Sequence, residues 1–92
     1  PDTAAMHGAG DMPEDLASLI HNHRDSVRGI DASAPELKRL SLAPEVPQGG
    51  YMDALRGANY DGWVSIEMRG PLSPEVLKEE IEIFKKQCGL AA

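Results

Sequence analysis

The chain has a single cysteine, Cys88. It therefore forms no internal disulfide, and it contains neither a Cys-x-x-Cys redox motif nor a cysteine zinc site. A reducing, cytoplasmic compartment is the expectation. The chain has no apolar run long enough to span a bilayer, and no signal peptide is expected ahead of the domain. Nor does it have an excess of basic residues. The formal net charge is -6, which argues against a nucleic-acid backbone or an anionic membrane surface as partner. What is present is the composition of a soluble globular protein, 41% hydrophobic and 26% charged over 92 residues. That length suits one small domain, which buries a smaller share of its surface than a large one. The sequence opens on Pro1 rather than Met, with polar Asp2-Thr3 where an apolar strand should be finishing. The expectation is a C-terminal piece of a longer protein.

The most informative stretch runs from Tyr60 to Met68, a turn feeding a short strand. Val64, Ile66 and Met68 alternate with Ser65 and Glu67, the period-two pattern of a strand with one apolar face. A carboxylate near the end of such a strand is costly unless something pairs with it or uses it. Glu67 is therefore the first candidate for chemistry.

Residues 1–10 are small and turn-rich, with nothing that reads as a helix interior. A helix is predicted from Asp11 to Ser26: Asp11 can cap, Glu14 completes a capping box, and Pro13 suits the first turn. Leu16, Leu19, Ile20, His23 and Val27 fall close to one helical face. A strand is predicted over Val27–Ser33, with Ile30 and Ala32 on one face and Gly29, Asp31 and Ser33 on the other. Residues 34–50 read as a long irregular segment holding Pro35, Pro44 and Pro47; loops of this length often carry function. Leu37, Leu40 and Leu42 should pin it to the body. A short helix follows from Tyr51 to Ala58, with Asn59 as a left-handed stop, then the strand Trp63–Met68. In the final helix Ser73 caps and Pro74 takes the first position. Leu77, Ile81, Phe84 and Cys88 form the apolar stripe, and Gly89 ends it. This alternation predicts an α/β fold of parallel βα units with right-handed crossovers; doubly wound sheets and βα barrels both fit.

Three acids occupy equivalent places. Asp2, Asp31 and Glu67 each lie at or near a strand's C-terminal end, spaced 29 and 36 residues apart, one βα unit apiece. Active sites of parallel βα folds form at that edge. Converging carboxylates need a counter-charge, and a divalent cation with oxygen ligands supplies it.

The run Asn59–Met68 closely resembles the last strand of the sugar phosphate isomerase/epimerase family, the xylose-isomerase-like TIM barrels. Asp2-Thr3 is similar to that family's Asp-Thr strand end, and Val27–Pro35 to the strand carrying its metal histidine. The resemblance implies the C-terminal third of a (β/α)8 barrel, from the end of strand six to helix eight. It implies aldose–ketose interconversion or epimerisation of a sugar or sugar phosphate. It also implies a divalent metal, Mn²⁺ or Mg²⁺ in preference to Zn²⁺. Glu67 matches a residue that is both ligand and proton carrier, and Asp2 matches the aspartate ligand. Asp31 stands where the family has histidine, so a ligand of altered affinity is implied there. His7 and Arg69 are the candidate substrate contacts; His7 lies near, but off the register of, a substrate histidine whose place Ala5 takes. Three strands cannot close an eight-stranded barrel. The chain alone is therefore expected to be inactive and to associate, as a homo-oligomer or otherwise, through open strand edges. The alternative is a non-catalytic barrel module that only binds or associates. The family resembled also includes endonucleases that use several zinc-binding histidines and a basic face, and this acidic sequence shows neither.

Each candidate has a plainer structural role to set beside the chemical one. Glu67 can pair with Arg69 or cap a loop. His21 and His23, two apart on a helix, do not face each other; they read as a surface and a half-buried residue. Lys38-Arg39 suits either a solvated loop or an anion. Cys88 belongs to the core, and Trp63 and Phe84 read as packing between strand and helix.

Overall fold

A computed structural model describes residues 1–89. The alternation of apolar and small or polar residues over 29–32 produces a strand, β1 (Gly29–Ala32). It pairs in parallel with β2 (Trp63–Ile66), in register from Gly29↔Trp63 to Ala32↔Ile66. The Asp31 amide donates to the carbonyl of Pro1 (2.9 Å), and Asp2 bridges Asp31 in parallel. Residues 1–2 thus occupy the third place in the sheet, and the spatial order follows chain order.

Among the described residues four α-helices accompany the strands: α1 (Thr3–Gly8), α2 (Pro13–Asn22), α3 (Gln48–Gly57) and α4 (Pro74–Gln87). The fold is mixed α/β, and among the described residues no helix is long and apolar enough to cross a membrane. Leu16 and Ile20 of α2, Tyr51, Met52 and Leu55 of α3, and Phe84 of α4 close over Ile30 and Ala32 to make one core. The Tyr51 hydroxyl donates to the Asp11 carbonyl (2.6 Å) and ties the α1–α2 connection to α3. Burial, with the Asp11 and Asp15 charges adding to it, pushes the Tyr51 phenol above its usual range. A Cβ at Gly49 would collide with the backbone carbonyl of Gln87, so the start of α3 and the end of α4 approach as only glycine allows.

Several sequence-based boundaries are corrected. The first ten residues contain α1, because the Asp2 side chain accepts from the Ala5 amide (2.6 Å) and starts the helix. In α2 the cap is formed one residue later than expected: the Met12 amide donates to Asp15, not Glu14. The helix ends at Asn22, so His23 is exposed rather than half-buried. Helix α3 starts three residues early, at Gln48, and both strands are shorter than expected. Leu40 is buried and pins the irregular segment, whereas Leu42 is exposed. Trp63 is 80% exposed and packs nothing between strand and helix. Confirmed are the Ser73 cap of α4, the left-handed Asn59 (φ 56°), and the buried Phe84 and Cys88.

Candidate functional site

Register neighbours in a parallel sheet point to the same face. Ile30, Ala32 and Ile66 turn toward the helices, which places Asp2, Asp31 and Ser65 in a row on the opposite face. Glu67 lies two residues beyond Ser65, so the three predicted acids share one face at the strands' C-terminal end. The Glu67 amide still donates to the Ala32 carbonyl (2.9 Å), and the Arg69 amide donates to that of Leu37 (2.7 Å).

Sharing a face does not bring the carboxylates together. Among the described residues no three acidic, histidine or cysteine side chains gather as a cation site. The Asp2 carboxylate caps α1. Those of Asp31 and Glu67 take part in no hydrogen bond or ion pair among the described residues, and Glu67 is exposed.

A cleft of about 320 Å³ does open at this end of the strands, and Asp2, Ser33, Glu36 and Arg69 line it together with apolar Ala34 and Leu37. Of the predicted site residues it unites Asp2 and Arg69. Asp31, Glu67 and the exposed His7 stand outside its lining. The cleft floor is fixed by a buried polar cluster. Thr3 Oγ1 donates to the Ser33 carbonyl (3.1 Å) and accepts from the Ser33 amide (3.0 Å); Gln48 Nε2 donates to the same carbonyl (2.7 Å). These bonds satisfy groups that would be costly to bury alone.

The wall of the cleft is a left-handed turn. Glu36 (φ 61°) and Leu37 (φ 56°) are consecutive non-glycine residues in the left-handed region, at a cost of about 1–3 kcal/mol each. The Leu37 amide bonds to Ala34 (2.9 Å), and its carbonyl receives the Arg69 amide. Further along, Arg39 and Ser41 anchor the segment to α4 through Glu80, whose side chain is 0% exposed. Glu80 accepts from Arg39 Nε (3.2 Å) and Nη2 (3.1 Å), and from the Ser41 amide (2.9 Å) and hydroxyl (2.6 Å). Burial alone would push the Glu80 carboxyl up. The two Ser41 bonds, the Arg39 bond and the Arg39 charge outweigh it and hold the carboxyl below the usual carboxylate range.

Sequence reasoning missed Ser33, Glu36 and Glu80 as parts of this region. For Glu80 a signal existed: it falls three residues after Leu77 and four before Phe84, on the apolar stripe, while Lys38-Arg39 is the one adjacent basic pair in the irregular segment. Arg39 is thereby committed to an acid and is not a free anion site. For Glu36 there was none, because neither Glu nor Leu favours a left-handed backbone. No protein-family model, curated protein or solved structure compared with this chain matches it.

Proposed function

We propose that the strand-end cleft binds a sugar or sugar phosphate, and that the chain is the C-terminal part of a (β/α)8-barrel isomerase or epimerase. One observation carries the reading. Asp2 and Arg69, each singled out from sequence, meet Ser33 and Glu36 in one cleft at the C-terminal end of parallel strands, the edge where ligands of such folds bind. Carboxylates and a hydroxyl suit sugar hydroxyls, and a guanidinium suits a carbonyl oxygen or a phosphate. Glu67, two residues before Arg69 and without a side-chain partner among the described residues, is the proposed proton carrier. The reaction class is removal of a proton beside a carbonyl and its return, with aldose–ketose exchange or inversion as the outcome. A divalent ion, Mn²⁺ or Mg²⁺, joins this proposal only if Asp31 and Glu67 draw in toward Asp2.

Titration of the ¹⁵N-labelled chain with ketoses, aldoses and their phosphates tests the reading. Shifts confined to the amides around Asp2, Ser33, Glu36 and Arg69 are expected, and they should be lost in Arg69→Ala. Absence of any shift at high sugar concentration overturns it. Paramagnetic broadening by Mn²⁺ centred on Asp2, Asp31 and Glu67 would add the metal; broadening scattered over surface acids would remove it.

A second reading is a module that works by association. It is favoured by β2, whose outer edge has no strand partner among the described residues and whose Trp63 is 80% exposed.

A further inference from the structure

The two edges of the sheet differ in a way that selects a partner. The β1 edge is closed by Pro1 and Asp2. The β2 edge is open. On β2 the Trp63 and Glu67 amides point inward, to Arg28 (3.0 Å) and Ala32 (2.9 Å), so the N–H and C=O groups of Val64 and Ile66 point outward. Such an edge is a template for another strand. Beside it lies a mostly apolar groove of about 290 Å³, lined by Met52, Leu55, Arg56, Tyr60, Val64 and Phe84.

We infer that this edge pairs with the same edge of a second copy, antiparallel, about a two-fold axis through Ile66. The inference rests on the reading of β2 as an associating edge and is independent of the sugar reading. Among the described residues β2 is the one named strand with an unpaired edge, and pairing that edge with itself gives an isologous contact that closes at two copies. The side chains also choose the register. With Ile66 opposite Ile66, Val64 faces Met68, Ser65 faces Glu67, and Trp63 faces Arg69. These are apolar pairs, a hydroxyl–carboxylate pair and a cation over an indole, all favourable across strands. Alternation persists as far as Arg69, whose amide also points inward, to Leu37. Sliding two residues one way sets Glu67 against Glu67, which repels. Sliding two the other way replaces the Arg69 cation opposite Trp63 with the Glu67 carboxylate, against the negative ring face. Arg69 also borders the cleft, so at any moment it serves either the cleft or the edge.

Sedimentation velocity on the full chain, over protein concentrations rising into the millimolar range, is the first test. A reversible monomer–dimer equilibrium is expected. Val64→Pro removes an outward amide and no inward bond, so it should raise the dimer dissociation constant at least about tenfold with an unchanged far-ultraviolet circular dichroism spectrum. If that variant misfolds, disulfide trapping decides. Ser65→Cys chains mixed with Glu67→Cys chains should cross-link under mild oxidation faster than either alone, the buried Cys88 staying silent. A monomer at every concentration overturns self-pairing and leaves a foreign strand as the occupant. A dimer indifferent to Val64→Pro overturns the edge itself. Preferential Glu67→Cys homodimers overturn the register, and assembly beyond two copies overturns the two-fold axis.

Discussion

Strands β1 and β2 share a pattern and pair residue for residue, yet they live in different environments. Ile30 and Ala32 of β1 are 0% exposed, while their register partners Val64 and Ile66 are 39% exposed and half-buried. The side chains do not explain this, since Val and Ile bury as readily as Ile and Ala. Position does. Residues 1–2 cover one side of β1 and β2 the other, whereas β2 has a neighbour on one side only among the described residues. Period-two alternation reports which way a side chain points, not whether anything lies there to receive it.

The same distinction separates the two acids that matter most. Glu67 was legible because it interrupts an apolar strand, and it proves exposed, its carboxylate unpaired among the described residues. Glu80 lies in a charged helical run that reads as a solvated face, and it is the most deeply buried acid of the chain. Its partners Arg39 and Ser41 are about forty residues away in a segment without periodicity. The place of Glu80 on the apolar stripe marks it as an acid that needs a partner, but nothing local says which distant residues supply one. The Ser73-Pro74 start of α4 and the Asn59 stop were legible because each is dictated by chemistry within a few residues. Helix α1 was not, since its initiating Asp2 also has the pattern of a strand end; it is both at once.

The strand comparison is broken most severely by shortening the side chains. Ile30→Ala opens a void in the core and is expected to cost about 3–4 kcal/mol, a large share of a small domain's stability. Val64→Ala, its register partner, should cost under about 1 kcal/mol. Urea unfolding followed by circular dichroism measures both. Similar losses at the two sites would mean that β2 is as enclosed as β1.

Glu80→Ala strands the Ser41 amide and hydroxyl and frees Arg39. A loss of about 2–3 kcal/mol is expected, with no matching loss from Glu67→Ala. The sign with pH follows from the lowered Glu80 carboxyl. A group depressed on folding adds stability above its unfolded value, 4.5, and loses it as pH falls through the lower folded value. The wild-type advantage over Glu80→Ala should therefore be full near neutrality and shrink below about pH 4.5. An advantage constant down to acid unfolding would show that the carboxylate charge is not what holds the segment.

The smallest expected effect on stability sharpens the comparison most. Trp63→Ser should shift the unfolding free energy by less than about 0.5 kcal/mol, because the ring is solvated and the backbone is held independently. The Tyr60 hydroxyl donates to the Trp63 carbonyl (2.7 Å), and a Cβ at Gly62 would strike the Tyr60 ring and the Arg28 carbonyl, so the turn depends on those two residues. Trp63 is the sole tryptophan, so its fluorescence reports on this edge alone. In dilute folded protein, iodide should quench it nearly as well as in urea, and quenching should weaken as concentration rises and the edge is covered. A ring shielded at the lowest concentration would place cover over β2 within a single chain, and the contrast between the two strands would no longer be one of environment.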